Sequence, residues 1–273
     1  MHMKIILAKS KWEWWEQPTE QFLQQAQADG FDASEFYLNE AKESPQQLIE
    51  LHQKYGLKII AQFLTEGRDF KEHLESVERL AEKAVRCNPI LINCHPGKDY
   101  FTFEENVFLL KKMSALSRET NIPFTAETHR GRATYSLIET VKYLDAIPDL
   151  YLTADFSHWM VVHESDLSNQ PENLGLAISR SRHIHARVGY EEGPQVPDPR
   201  APEWKKQLDN HLSIWQKIIK NCKDRGMEYL TITPEFGPLN YMHTMPFSNE
   251  PVKDAWELNV AMKDILTEKL FTG

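Results

Sequence analysis

The chain has 273 residues, 41% hydrophobic and 26% charged, enough apolar material for a large core and enough charge for a water-facing surface. No apolar run approaches the roughly 18 residues needed to span a bilayer, and the N-terminus turns polar after one strand-length run, so membrane insertion is not expected and a cytoplasmic location is. Forty acidic against thirty-one basic side chains give a formal charge of −9, which repels a polyanion and excludes nucleic acid as an expected partner.

Short apolar runs alternate with amphipathic stretches from end to end, the pattern of repeated βα units and a parallel sheet. Strands are predicted at 3–8, 33–38, 57–63, 89–94, 124–127, 150–155, 183–187 and 229–235. Helices between them include 19–29, 45–55 and 70–86, and Gly30, Gly56 and Gly226 each follow a helical pattern where a left-handed end is cheapest. No linker or low-complexity segment divides the sequence, so one domain over 1–273 is expected. Its length suits a single (β/α)8 barrel, which usually needs about 250 residues. Cys87, Cys94 and Cys222 are odd in number and lack CxxC spacing, so reduced core thiols are expected. The stretch 189–204, punctuated by Pro194, Pro197, Pro199 and Pro202, reads either as a lid or as a stiff surface connection.

Glu127, Asp155, His185 and Glu235 each sit at or near the C-terminal end of a separate strand-like run in the second half of the chain. Parallel barrel strands open onto one face, so these four side chains can converge on one divalent cation. Oxygen-rich ligation with a single His favours Mn²⁺ or Mg²⁺, with Co²⁺ or Zn²⁺ as alternatives. In the last strand, Thr231, Thr233 and Glu235 share the interior face while Leu230 and Ile232 face the helices. Alternation likewise sends His183, His185 and Arg187 to one face, which leaves open which imidazole binds metal.

Other polar residues cluster at strand ends. Glu127 and His129 project to the same side, with Arg130 and Arg132 nearby to attract an anionic or hydroxyl-rich ligand. His158, three residues after Asp155, reads as a group for metal or substrate. His95 in an exposed His-Pro-Gly turn, Asp99 and Glu35 are further groups for substrate hydroxyls, each with a structural role as the blander alternative. Trp12, Trp14 and Trp15 read as helix-packing aromatics or as a wall for a sugar face. Gly237, in a Pro-Glu-Phe-Gly-Pro turn, would let the backbone approach a ligand.

The order Glu, Asp-x-x-His, His, Glu on strands five to eight resembles the xylose isomerase-like barrel superfamily of sugar isomerases and epimerases. The resemblance covers nearly the whole chain in architecture, with its specific motifs confined to residues 125–237. It implies that Glu127, Asp155, His185 and Glu235 hold the metal, that His158 contacts substrate, and that Glu127 and Glu235 exchange the substrate proton from opposite faces. The ketose 3-epimerase branch carries a further Glu where this chain has Ala133 and an Arg where it has Glu191. Those departures count against ketose 3-epimerase activity itself, and the Glu-Thr-His-Arg segment at 127–130 suggests a different, acidic or phosphorylated, substrate.

The expected function is therefore a metal-dependent isomerase or epimerase of a sugar, sugar phosphate or related hydroxy-ketone acting through an enediolate. Glu127 and Glu235 are the catalytic candidates, and His158, His95, His129, Arg130 and Arg187 the substrate-binding ones. The alternatives are a keto-polyol dehydratase or lyase, a non-catalytic carbohydrate-binding barrel and, disfavoured by charge, an apurinic endonuclease. The expected partner is a small carbohydrate-like molecule, and a homo-oligomer is the base-rate expectation for a soluble enzyme.

Overall fold

The computed structural model of the chain describes residues 3–271; residues 1–2 and 272–273, the ends of the expected 1–273 domain, lie outside the described residues. In chain order the elements are β1 (Lys4–Ser10), α1 (Thr19–Ala28), β2 (Ala33–Tyr37), α2 (Pro45–Tyr55), β3 (Lys58–Leu64), α3 (Phe70–Arg86), β4 (Leu91–His95) and α4 (Phe103–Thr120). They continue as β5 (Phe124–Glu127), α5 (Leu137–Ala146), β6 (Leu152–Ala154), α6 (Ser157–His163), α7 (Pro171–Arg180), β7 (Ser181–Ala186), α8 (Lys205–Asp224), β8 (Tyr229–Pro234) and α9 (Ala255–Leu266). The eight strands pair in parallel and in sequence order, and β1 closes on β8, which makes the (β/α)8 barrel that the alternating pattern predicts.

Local chemistry sets the boundaries. Ser44 and Gln47 form a reciprocal cap at the start of α2, and Gly56 ends that helix at φ 66°. β1 runs on to Ser10 because Ser10 pairs with Glu35 of β2. β6 stops short of Asp155, whose backbone N–H donates to Thr128 Oγ1 at 2.9 Å instead of continuing the ladder.

Strand alternation divides the side chains into two environments. Outward residues such as Ile184, Leu230 and Ile232 join the helices in the main core, where truncating a buried Ile to Ala costs about 2–5 kcal/mol. A separate apolar cluster of Ile6, Ala8, Ala33, Ile60 and Leu91 occupies the inside of the barrel near the strand N-terminal ends. Above it the interior is polar and hydrogen-bonded: Thr153 Oγ1 donates to Asn93 Oδ1 at 2.8 Å and lies 2.7 Å from Thr125 Oγ1. All three cysteines are free and buried, and no helix among the described residues is long and apolar enough to cross a membrane.

Two imidazoles outside the barrel mouth couple the fold to pH. His52 of α2 has Nδ1 2.6 Å from the Leu48 carbonyl and Nε2 2.6 Å from Ser34 Oγ, and His211 of α8 accepts the Gly189 N–H at 3.0 Å. Burial pushes each down to about 4, whereas an unfolded chain protonates near the ordinary histidine value. Between about pH 6.5 and 4 the unfolded state therefore binds more protons, so stability is full above that window and falls as pH drops through it, by up to about 3 kcal/mol per imidazole. Calorimetry at pH 7 and 5 should show His52→Gln losing less stability on acidification than wild type; equal losses would contradict this account.

Candidate active site

Glu127 ends β5, Asp155 follows β6, His185 lies in β7 and Glu235 follows β8, so four different strands deliver them to one face. One ligand atom from each lies within 4.8 Å of all the others, and all four residues are buried. His185 Nδ1 is 2.8 Å from Glu235 Oε2 and 3.5 Å from Glu127 Oε2. A ring nitrogen and carboxylate oxygens that crowd one point form a donor set that could hold a cation. His183 lies deeper, with Nδ1 2.7 Å from Thr231 Oγ1 and Nε2 3.1 Å from Glu35, so His185 is the imidazole that reaches the other three.

The electrostatics of these carboxyls differ. Burial of Glu127 opposes its ionisation, but the imidazoles of His95 and His185 outweigh it and hold the carboxyl well below the usual range. Burial pushes Glu235 up to about 7, a rise that His185 only partly offsets. Burial also raises Asp155, against the Arg187 guanidinium that pairs with it. Arg187 Nη2 lies 3.9 Å from Glu235 as well. Three carboxylates and one imidazole nitrogen suit a hard divalent cation such as Mn²⁺ or Mg²⁺, so the residues fit the ion.

Glu127 and Glu235 of this cluster line a cavity of about 440 Å³, a size that suits a small ligand. Its walls include Trp12, Trp15, Tyr37, Leu64 and Tyr241, with Gln62, His95, His129 and Arg187 as polar groups. His95 Nε2 is 2.6 Å from Glu127 Oε2, while its Nδ1 has no hydrogen-bond partner. His129 has Nδ1 2.6 Å from the Arg130 carbonyl and Nε2 3.3 Å from the Tyr241 hydroxyl, and burial with His95 nearby pushes it down to about 3. Arg187 is 1% exposed, lies 4.5 Å from the Tyr241 ring centre and leaves Nη1 unpartnered.

Two of the expected substrate contacts stand behind this wall. His158 is fully buried, with Nε2 2.8 Å from Arg187 Nη2 and Nδ1 3.1 Å from Arg130 Nε. Burial, His129 and these cations keep it neutral, with its pKa well below the ordinary value. Arg130 spends its Nε on that imidazole, and Arg132 donates to the Thr65 carbonyl at 2.9 Å; none of the three lines the cavity.

Some readings of individual residues change. A Cβ on Gly237 would lie 2.4 Å from the Trp12 ring, so its missing side chain admits an indole rather than a ligand. Trp14 packs on Trp256 at 4.2 Å, while Trp12 and Trp15 reach the cavity. The 189–204 stretch contributes nothing to the cavity wall. Gln195 brackets Gly237, accepting from its N–H at 2.7 Å and donating to its carbonyl at 3.2 Å, so the stretch straps the end of β7 to the turn after β8. Gln62 and Tyr241 are additions: alternation from Ile60 would have put Gln62 inside, whereas Tyr241 sits in an aperiodic turn that carries no such signal.

The xylose isomerase-like TIM barrel family matches residues 23–215. The chain belongs to that family. No curated protein sequence matches it. Among solved structures, the fold is shared with the probable 3-DHS dehydratase AsbF, involved in petrobactin synthesis, from Bacillus anthracis, at 17% identity and TM-score 0.60 over 96% of this chain and 98% of that one. D-allulose 3-epimerase from Methylomonas sp. superposes with TM-score 0.65 at 14% identity over 98% and 99% of the two chains. A xylose isomerase-like TIM barrel protein from Mycobacterium smegmatis, in complex with magnesium, gives 0.67 at 11% identity over 99% and 100%.

Elemental analysis after manganese loading and dialysis should find about one ion per chain in wild type and none above background in Glu235→Ala, since losing one ligand of four removes most of the affinity. Gly237→Ala should displace Trp12, seen as a shift in tryptophan emission with little change in metal content. An unchanged emission maximum would place the indole elsewhere.

Proposed function

We propose that the protein is a divalent-metal-dependent isomerase or epimerase of a sugar, sugar phosphate or related hydroxy-ketone. The observation that carries this reading is the convergence of the His185 ring with three buried carboxylates, two of which, Glu127 and Glu235, line a monosaccharide-sized cavity. Glu127, Asp155, His185 and Glu235 would hold the ion, with Mn²⁺ or Mg²⁺ favoured by the oxygen-rich set. When bound, the cation supplies Lewis acidity that lowers the cost of negative charge on substrate oxygens.

The remaining steps belong to the side chains. Arg187 lines the cavity and has Nη1 without a hydrogen-bond partner, a donor that would hold a substrate oxygen as charge develops there. Ionised Glu127 would take the proton from the carbon beside the carbonyl: the C–H bond breaks, a carboxyl O–H forms and the electron pair moves onto the substrate oxygen. Glu235 would return a proton to the neighbouring carbon or to the opposite face. The aromatic walls would pack against the apolar face of the sugar, with His95 and His129 meeting its hydroxyls. His158 and Arg130 would act on substrate through Arg187 and His129, which they touch. The substrate is a small molecule rather than nucleic acid, consistent with the net charge of −9.

The test is solvent exchange. Manganese-loaded protein incubated in D₂O with a panel of ketoses, ketose phosphates and keto acids should place deuterium on carbon in at least one of them. Glu127→Gln and Glu235→Gln should each lower that rate by about 10²–10⁴ while keeping the fold. Wild-type rates in both variants would refute the proton-transfer roles, and a product lighter by one water would assign the protein as a dehydratase. Tight sugar binding with no exchange at all would leave a binding barrel.

A further inference from the structure

We infer that Glu35 selects the metal-binding form of His185, acting as a positioning residue that touches neither the ion nor the substrate. This rests on the proposal that His185 is a metal ligand, and the experiment below separates the two.

Glu35 projects from β2 into the barrel interior, is 1% exposed and reaches the cavity floor. Its carboxylate is surrounded by donors. Asn93 Nδ2 is 3.0 Å from Oε1, Thr233 Oγ1 is 2.7 Å and His183 Nε2 is 3.1 Å from Oε2, and His185 Nε2 is 3.0 Å from both oxygens. A carboxylate offers about four lone-pair sites, and four donors occupy them. Nothing remains for a substrate hydroxyl or a cation, which corrects the expectation that Glu35 contacts substrate. The same saturation counts against Glu35, His183 and His185 as an alternative metal cluster, because a ring nitrogen of each imidazole is already within hydrogen-bond distance of the carboxylate.

The consequence lies on the other side of the His185 ring. With its proton on Nε2, shared between the two Glu35 oxygens, the ring keeps a bare lone pair on Nδ1, the atom facing Glu127 and Glu235. A carboxylate behind a ligating imidazole fixes both tautomer and ring angle. Without it, Glu235 at 2.8 Å would draw the proton to Nδ1 and occupy the lone pair. Asn93 extends the control, since the amide that donates to Glu35 also donates to Glu127 Oε2 at 2.7 Å. The supporting set therefore orients two ligands together. His183 completes it, with Nδ1 3.0 Å from the Thr231 carbonyl and 2.7 Å from the Thr231 hydroxyl, and Nε2 3.1 Å from Glu35.

Manganese binding followed by electron paramagnetic resonance of the free ion tests the inference on wild type, Glu35→Gln, Glu35→Asp and His185→Ala. Glu35→Gln should weaken Mn²⁺ binding about 10–100-fold at unchanged stoichiometry, and Glu35→Asp should recover part of the loss. Wild-type affinity in Glu35→Gln would overturn the inference while leaving the metal centre intact; failure of wild type to bind would instead sink the metal centre itself. Should the variants fail to fold, nitrogen-15 imidazole spectra of Mg²⁺-saturated wild type decide the matter. A proton on His185 Nε2 with Nδ1 bare supports the role, and a proton on Nδ1 overturns it.

Discussion

Four carboxylates, Glu35, Glu127, Asp155 and Glu235, share the interior of one closed barrel, and the rest of the molecule is organised around the cost of burying them. An isolated buried charge is destabilising by several kcal/mol unless it is paired or fully hydrogen-bonded. The compensation is graded by depth. Glu35 is saturated by Asn93, Thr233, His183 and His185, Glu127 rests on Asn93 and His95, and Asp155 rests on Arg187 and Ser157. Glu235, nearest the cavity, is the least relieved, and its carboxyl is pushed up to about 7. Positive charge is thus in deficit at one end of the cavity, where the proposed ion would sit.

The parallel barrel is what makes this gradient buildable. Closure removes sheet edges, and register places successive inward residues at successive heights, so that His183 pairs across from Thr231 while His185 pairs across from Thr233. A shift of one residue in β7 would turn His185 toward the helices and Ile184 inward. The apolar outer faces of the strands hold that register because they are buried against the helices.

The fold was legible because each strand carries its own period: eight apolar runs at the spacing of βα units leave few other architectures. Glu127, Asp155, His185 and Glu235 were legible for a related reason, since each is a polar residue at the open end of an apolar run. Glu35 was not, because its meaning lies in contacts with His183 and His185, far along the chain, that no local pattern encodes. Tyr241 sits in a turn without periodicity, and the crowding of Trp12 against Gly237 depends on how two distant loops meet. The proline-rich stretch 189–204 carries a composition typical of mobile loops, yet Gln195 and the fully buried Val196 anchor it.

The apolar cluster of Ile6, Ala8, Ala33, Ile60 and Leu91 plugs the barrel beneath the carboxylates, so the cavity is a cul-de-sac. Traffic through a dead end is ordered. The proposed ion among Glu127, Asp155, His185 and Glu235 would have to arrive before the substrate and would be corked while the substrate stays. Chelators would then compete for the empty-handed protein alone, and turnover itself would shield the ion from loss.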